Sequence, residues 1–222
     1  MFVRIPLFIE FNDRNVLVIG GGGVGTRRAL KFLTAGANVR VLSLEFSDEL
    51  LKYAEQGNVE LVKGDAGDVE LLRRNIEWAD LVIIATNNPE INENARKIAR
   101  NLRKFFNDAT NAEETEVVVP FEGEVNGIRI AVTTEGLSGV MARKTINKVI
   151  AMLKNDEELM KMSNVWYAVK RRIKESINDV RVRLKLYMEL DNDEKFNELA
   201  KRGDIEEALE YVMKKIEERE RG

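Results

Sequence analysis

The residues whose types and spacing could do chemistry begin with Gly20, Gly22 and Gly25, which fit the pattern G-x-G-x-x-G. At that spacing the first glycine allows a tight turn, the second lets the backbone approach a pyrophosphate, and the third lets a helix pack closely on a strand. Unpaired N–H groups at the helix start then face the anion. Gly23 and Val24 complete the turn, and the chemistry it points to is the binding of a dinucleotide such as NAD. Glycines also make plain turns, so the assignment rests on the flanks. Residues 16–19, Val-Leu-Val-Ile, read as a strand covered on both faces. Residues 26–35 carry apolar side chains at helical spacing, with Gly36 where a C-terminal cap belongs.

Further polar positions follow other apolar runs. In dinucleotide-binding folds the end of the second strand often carries an acid that hydrogen-bonds the ribose. Here that position is Ser43, with Glu45 two residues later, so either Glu45 or backbone groups would hold the ribose. Residues 81–85 form a near-continuous apolar run typical of a central parallel strand, and it ends at Thr86 and Asn87. Ligands of open α/β sheets sit beyond the carboxyl ends of the strands, so Thr86 and Asn87 either stand beside the glycine turn or simply close a loop. The chain has no Cys and no His, which removes disulfides, thiolate nucleophiles, Cys/His zinc sites and imidazole-dependent triads. Proton transfer must then use carboxylates, Lys, Tyr or bound water. No resident metal site is expected, and any metal handled would meet oxygen ligands.

The elements that must position these groups are set by a chain of 222 residues, 44% hydrophobic and 33% charged, enough for one large domain or one domain plus an extension. No apolar run approaches the roughly 20 residues that span a bilayer, and the first eleven residues lack the basic region and cleavage site of a signal peptide. A soluble, cytoplasmic protein is expected. The formal charge of -3 and pI near 5.4 give no footprint for nucleic acid, which leaves a small molecule as the expected partner.

Residues 1–13 read as an extended lead-in, with Phe2, Ile5, Leu7, Phe8 and Phe11 available to pack on the sheet. Strand patterns at 16–19, 38–43, 59–62, 81–85 and 104–107 alternate with helical patterns at 26–35, 47–56, 68–78 and 89–104. Asn88 and Pro89 suit the N-cap and first position of the last of these helices. The alternation predicts an α/β fold with a Rossmann-like parallel sheet over residues 1–112. Residues 113–154 then read as a β-hairpin, with 117–120 and 124–125 on one arm and 128–134 on the other about an Asn126-Gly127 turn, followed by a helix from about 140 to 154. Residues 155–222 form an all-helical extension, with helices over 157–176, 179–189, 194–202 and 205–219. Within it Met160, Met162, Trp166 and Tyr167 suit core or dimer packing, and Lys170, Arg171, Arg172 and Lys174 suit a solvated face.

Several separated stretches line up with one family. Pro6-Leu7-Phe8, residues 18–28 (Val-Ile-Gly-Gly-Gly-Gly-Val-Gly-Thr-Arg-Arg), residues 85–92 (Ala-Thr-Asn-Asn-Pro-Glu-Ile-Asn) and residues 138–143 (Ser-Gly-Val-Met-Ala-Arg) resemble the precorrin-2 dehydrogenase and sirohydrochlorin ferrochelatase family, which includes the N-terminal part of siroheme synthase. The likeness covers about residues 1–150 in the expected order, and its last motif is the more specific because ordinary dehydrogenases lack it. The resemblance implies NAD-dependent oxidation of precorrin-2 to sirohydrochlorin, an oxidoreductase step of siroheme (porphyrin-type) biosynthesis. In some members it also implies insertion of ferrous ion as a second substrate. It further implies a homodimer whose interface is built by the hairpin region, with the tetrapyrrole lying near residues 108–111 and Ser138.

The family pattern places an aspartate, ascribed to both dehydrogenation and chelation, three residues after the asparagine that closes the fifth strand. Counting from Asn107, that position is Thr110, and threonine cannot accept a proton near neutral pH. Asp108, two residues earlier, can substitute if the loop is re-threaded, with Glu113, Glu114 and Glu116 as weaker candidates, and Asn111 falls to the substrate. Smaller departures are Gly25 for an alanine, Gly139 for a proline and Asn87-Asn88 for a more acidic pair. Ser138 matches a serine of the substrate region and equally suits a helix N-cap. Two other functions stay open at this point: a non-catalytic NAD-sensing module, and a tetrapyrrole chelatase or carrier without dehydrogenase activity.

Overall fold

A computed structural model describes residues 4–220 of the chain, with Phe2 of the lead-in outside them. The described residues form two compact units, one running up to Val119 and including Thr133–Ser138, the other made of Pro120–Val132 and the chain from Gly139 onward. No helix among them is long and apolar enough to cross a membrane.

The first unit holds strands β1 (Asn15–Ile19), β2 (Asn38–Ser43), β3 (Val59–Lys63), β4 (Leu81–Ile84) and β5 (Phe105–Asp108), alternating with helices α1 (Gly23–Thr34), α2 (Asp48–Glu55), α3 (Val69–Trp78) and α4 (Pro89–Asn101). The strands are parallel, in the order β3-β2-β1-β4-β5. This is the Rossmann-like arrangement expected, with β1 at the point where the strand order reverses. Successive side chains of β1 point to opposite faces. Val16 and Val18 pack with Ala29, Phe32 and Leu50 of α1 and α2, whereas Leu17 and Ile19 pack with Leu72, Ile76, Ala95 and Ala99 of α3 and α4. Burial on both faces, at about 1.5–3 kcal/mol for each large aliphatic side chain, is why β1 and β4 read as unbroken apolar runs.

Local signals account for most helix ends. Ser47, Asp68 and Asn88 each accept backbone N–H groups at the starts of α2, α3 and α4, and Gly36, with φ of 80°, follows the end of α1. The lead-in departs from its expected role. Phe11 packs edge-on against Phe32, but Ile5, Leu7 and Phe8 are exposed. Residues 117–119 also differ from the expected strand: Val117 donates its N–H to the Phe106 carbonyl, and Val117 and Val119 pack against the sheet core.

In the second unit β6 (Phe121–Val125) and β7 (Ile128–Val132) form an antiparallel hairpin. Asn126 and Gly127, both at positive φ, make its two-residue turn. Helix α5 (Gly139–Asn155) packs on the hairpin, where Gly123 leaves room for Ile150. Helices α6 (Glu157–Ser176), α7 (Val180–Asp191), α8 (Glu194–Arg202) and α9 (Ile205–Glu220) enclose a separate core that includes Val169, Leu186, Phe196 and Val212. Trp166 packs on Phe196, while Lys170, Arg171, Arg172 and Lys174 are exposed. Arg202 pairs with both Asp204 and Glu207 at the start of α9.

Candidate functional site

The glycine turn is built by exclusion. A Cβ on Gly20, whose φ is 110°, would stand 2.5 Å from the Ala85 carbonyl oxygen, and one on Gly21 would stand 2.2 Å from that of Glu45. A Cβ on Gly25 would meet the Gly20 carbonyl oxygen at 1.9 Å. These three glycines are therefore required by backbone approach between β1, α1 and the loops after β2 and β4. Gly22 differs: a Cβ there would meet nothing within 4 Å, because the residue faces open cleft. It is also the N-cap of α1, which has no side-chain cap and no acid in its first turn. Helices α2, α3 and α4 each have both. The start of α1 thus keeps its backbone donors and positive dipole end available to an anion.

That helix start opens onto a cleft of about 300 Å³ beyond the strand ends, lined by Gly20 to Val24, by Ser43 at the end of β2 and Leu44 after it, by Asp65 and Ala66 after β3, and by Thr86, Asn87 and Ile91 after β4. Its size and mostly apolar lining, with Asp65 as the charged residue, suit a nucleotide. The open space at Gly22 together with the uncapped helix start fits a pyrophosphate. Thr86 is held in place: its hydroxyl lies 2.5 Å from Asn92 Oδ1, and its carbonyl accepts from Asn92 Nδ2 at 3.1 Å.

A second polar cluster follows β5. Asp108 is buried and pairs with Arg96 of α4, itself buried. Its other oxygen accepts the Thr110 N–H at 2.8 Å, the Thr110 hydroxyl at 2.7 Å and the Asn111 N–H at 3.2 Å. Burial works against the Arg96 charge, but the hydrogen bonds it donates to Glu93 and Asp108 outweigh it and hold the guanidinium pKa above its ordinary value. Thr110 is exposed and also accepts from Asn92 Nδ2 at 3.1 Å. A polar chain therefore runs from the cleft at Thr86 through Asn92 to Thr110 and Asp108. Arg4 ties the following loop to the turn before Ser138, donating to Glu135 at 2.7 Å and to the carbonyls of Ala112 and Thr115 at 3.1 and 2.8 Å. Ser138 is half-buried, and both its backbone N–H and its carbonyl bond the Thr134 hydroxyl.

Residues 7–121 match a family model described as "Putative NAD(P)-binding". Over 201 residues the chain is 31% identical to the "Putative precorrin-2 dehydrogenase" of Methanocaldococcus jannaschii, covering 89% of this chain and 95% of that protein. The chain belongs to the precorrin-2 dehydrogenase family. It is also 28% identical to the siroheme synthase of Actinobacillus succinogenes, over 98% of this chain but 44% of that protein. A solved structure titled "SirC, precorrin-2 dehydrogenase" has the same fold, with a TM-score of 0.69 at 21% identity, covering 95% of this chain and 100% of that one.

Within this precorrin-2 dehydrogenase family chain, these residues singled out from sequence fall into four groups. Gly20, Gly22, Gly23, Val24, Ser43, Thr86 and Asn87 line the cleft. Gly25 lies behind it as the packing glycine. Glu45 is outside the lining; its carbonyl is what crowds Gly21. Asp108, Thr110 and Asn111 form one hydrogen-bonded loop in which Asp108 is an anchor, its acceptors taken by Arg96 and by the loop itself. In this threading of the loop both carboxylate oxygens of Asp108 are engaged. Missed from sequence were Asp65 in the cleft and the Arg96–Asp108 pair. Asn92, the last residue of the 85–92 motif, bridges Thr86 and Thr110.

Proposed function

We propose that this chain catalyses the NAD-dependent dehydrogenation of precorrin-2 to sirohydrochlorin in siroheme biosynthesis. The observation that carries the reading is the uncapped, glycine-headed start of α1, which opens onto a nucleotide-sized cleft at the sheet's reversal point. It occurs in a chain aligned along 95% of a precorrin-2 dehydrogenase relative. When bound, NAD supplies the hydride acceptor. The α1 backbone donors bind the pyrophosphate, Gly22 leaves room for it, Ser43 and its neighbours hold the ribose, and Thr86 and Asn87 flank the nicotinamide half. Asn111 and Ser138 contact the tetrapyrrole. The substrate loses a hydride and a proton. Thr110 offers the substrate a hydroxyl fixed by Asp108 and Asn92, and the proton passes to water, since a hydroxyl is no base near neutral pH. The work is divided among residues 1–112 for the cofactor, 113–154 for dimerisation and substrate, and 155–222 as a helical extension. The enzyme acts as a cytoplasmic homodimer.

Insertion of ferrous ion would be a second reaction on the product. With Thr110 in place of the family's carboxylate and Asp108 saturated by hydrogen bonds, this chain lacks a free carboxylate at that position, and its insertion step is slow. An anaerobic assay with precorrin-2 and NAD, followed by ferrous or cobalt ion, tests both halves. NADH and sirohydrochlorin form, metal insertion stays near the uncatalysed rate, and Thr110→Asp raises insertion about tenfold or more. Intact NAD binding with no NADH formed from precorrin-2 would leave a sensor or carrier instead.

A further inference from the structure

Dinucleotide folds commonly place an acid at the end of the second strand to bind the ribose, yet β2 ends in Ser43 and Glu45 stands outside the cleft lining. The cleft's acid comes from the neighbouring strand. β2 and β3 pair in register from Val39 with Val59 to Ser43 with Lys63, and the Gly64 N–H donates to the Ser43 carbonyl at 3.1 Å. The residue after Gly64 therefore emerges beside the strand end where a ribose is expected. That residue is Asp65, exposed and in the cleft lining with Ser43, Leu44 and Ala66. Its Oδ1 accepts the Gly67 N–H at 2.8 Å, which fixes the carboxylate in an Asx turn. Among the described residues that line the cleft, Asp65 is the charged one; the rest are Gly, Ala, Val, Leu, Ile, Ser, Thr and Asn. Arg27 stands at the other end, its Nη1 3.6 Å from where a Cβ on Gly23 would be, beside the pyrophosphate turn. Lys63 is exposed and outside the lining.

We propose that Asp65 sets the cofactor preference, accepting a hydrogen bond from the adenosine end of NAD and rejecting NADP. An ionised carboxylate is an acceptor only, so it suits the hydroxyl and amino donors of adenosine. A 2′-phosphate replaces a donor with roughly two negative charges, and like charges brought together in a cleft oppose binding. The inference rests on the dinucleotide reading of the cleft and names which form it takes.

Calorimetric titration of the full chain with NAD and with NADP tests it, using the wild type, Asp65→Asn and Glu45→Gln. Asparagine keeps the acceptor for the Gly67 N–H, so the turn and the thermal midpoint stay as they are. The wild type prefers NAD by about 100-fold or more, and Asp65→Asn narrows that ratio about tenfold, mainly by gaining NADP affinity. Glu45→Gln probes the rival acid and leaves the ratio unchanged. An unchanged ratio in Asp65→Asn, or a narrowed one in Glu45→Gln, overturns the assignment while leaving the dinucleotide site standing. A wild type that binds neither nucleotide overturns both.

Discussion

At the carboxyl end of β1 the chain runs through four consecutive glycines into a helix with no side-chain cap and no acid in its first turn. At the carboxyl end of β5, two strands away in the same sheet, Asp108, Thr110 and Asn111 bond one another and reach Arg96 and Asn92. The first region keeps side chains out so that its backbone donors remain for a ligand. The second uses side chains to satisfy nearly every donor and acceptor it has, and so fixes a loop. The difference teaches that an acid beside a presumed active site is not thereby a catalytic base: what decides is whether its oxygens are already taken.

The largest expected effect tests the saturated end. Asp108→Ala leaves the buried Arg96 with Glu93 alone and frees the Thr110 loop, at a cost of about 3–5 kcal/mol. Chemical denaturation measures it, and a loss below about 1 kcal/mol would mean that the cluster is not the anchor described. The open end gives a smaller effect of another kind. Gly22→Val adds a side chain where there is space and no positive φ, so folding is nearly unchanged while NAD affinity falls about 100-fold, or about 2.7 kcal/mol. Titration beside a thermal melt separates the two, and undiminished binding would remove Gly22 from the pyrophosphate site.

The smallest effect asks whether saturation needs a ligand site nearby at all. In the helical unit Asp193 caps α8 through the Phe196 N–H and meets Tyr211 and Lys215 at 2.8 and 2.9 Å. Burial alone would raise its pKa, but Lys215, the Phe196 amide and Tyr211 pull it down to about 2. Because the folded value lies below the unfolded one, the stabilisation is full above about pH 4 and is lost as pH falls through about 2. Allowing for solvent screening, the loss is about 1 kcal/mol. Circular dichroism melts between pH 5 and 2 show the decline, and Asp193→Asn flattens it.

What was legible in the sequence follows from range. Asn88 announced its helix because a cap acts on amides two or three residues away, and Ser47 and Asp68, where the other two helical patterns begin, cap α2 and α3 in the same way. Gly20, Gly22 and Gly25 announced the turn because its steric demands are local. Asp65 was not legible, since its importance comes from the register of β3 on β2 rather than from its neighbours in the chain. Asp108 was visible as an acid, but Arg96 lies a full helix-to-strand connection away, and nothing in the residues between them specifies the pair. The exposed Ile5, Leu7 and Phe8 were misjudged because apolar character alone does not say where an extended segment runs.

Gly20, Gly21 and Gly25 are wedged against carbonyls on three sides, leaving the turn little freedom once the sheet has formed. The entropy of ordering these loops is then lost when the protein folds, not when the nucleotide arrives. NAD meets a socket already in its binding shape, so association proceeds without waiting for a rearrangement. The unpaired amides at the start of α1 accordingly exchange freely before the nucleotide binds and are protected after it, whereas the Gly20 amide, bonded to the Leu42 carbonyl, is protected in both.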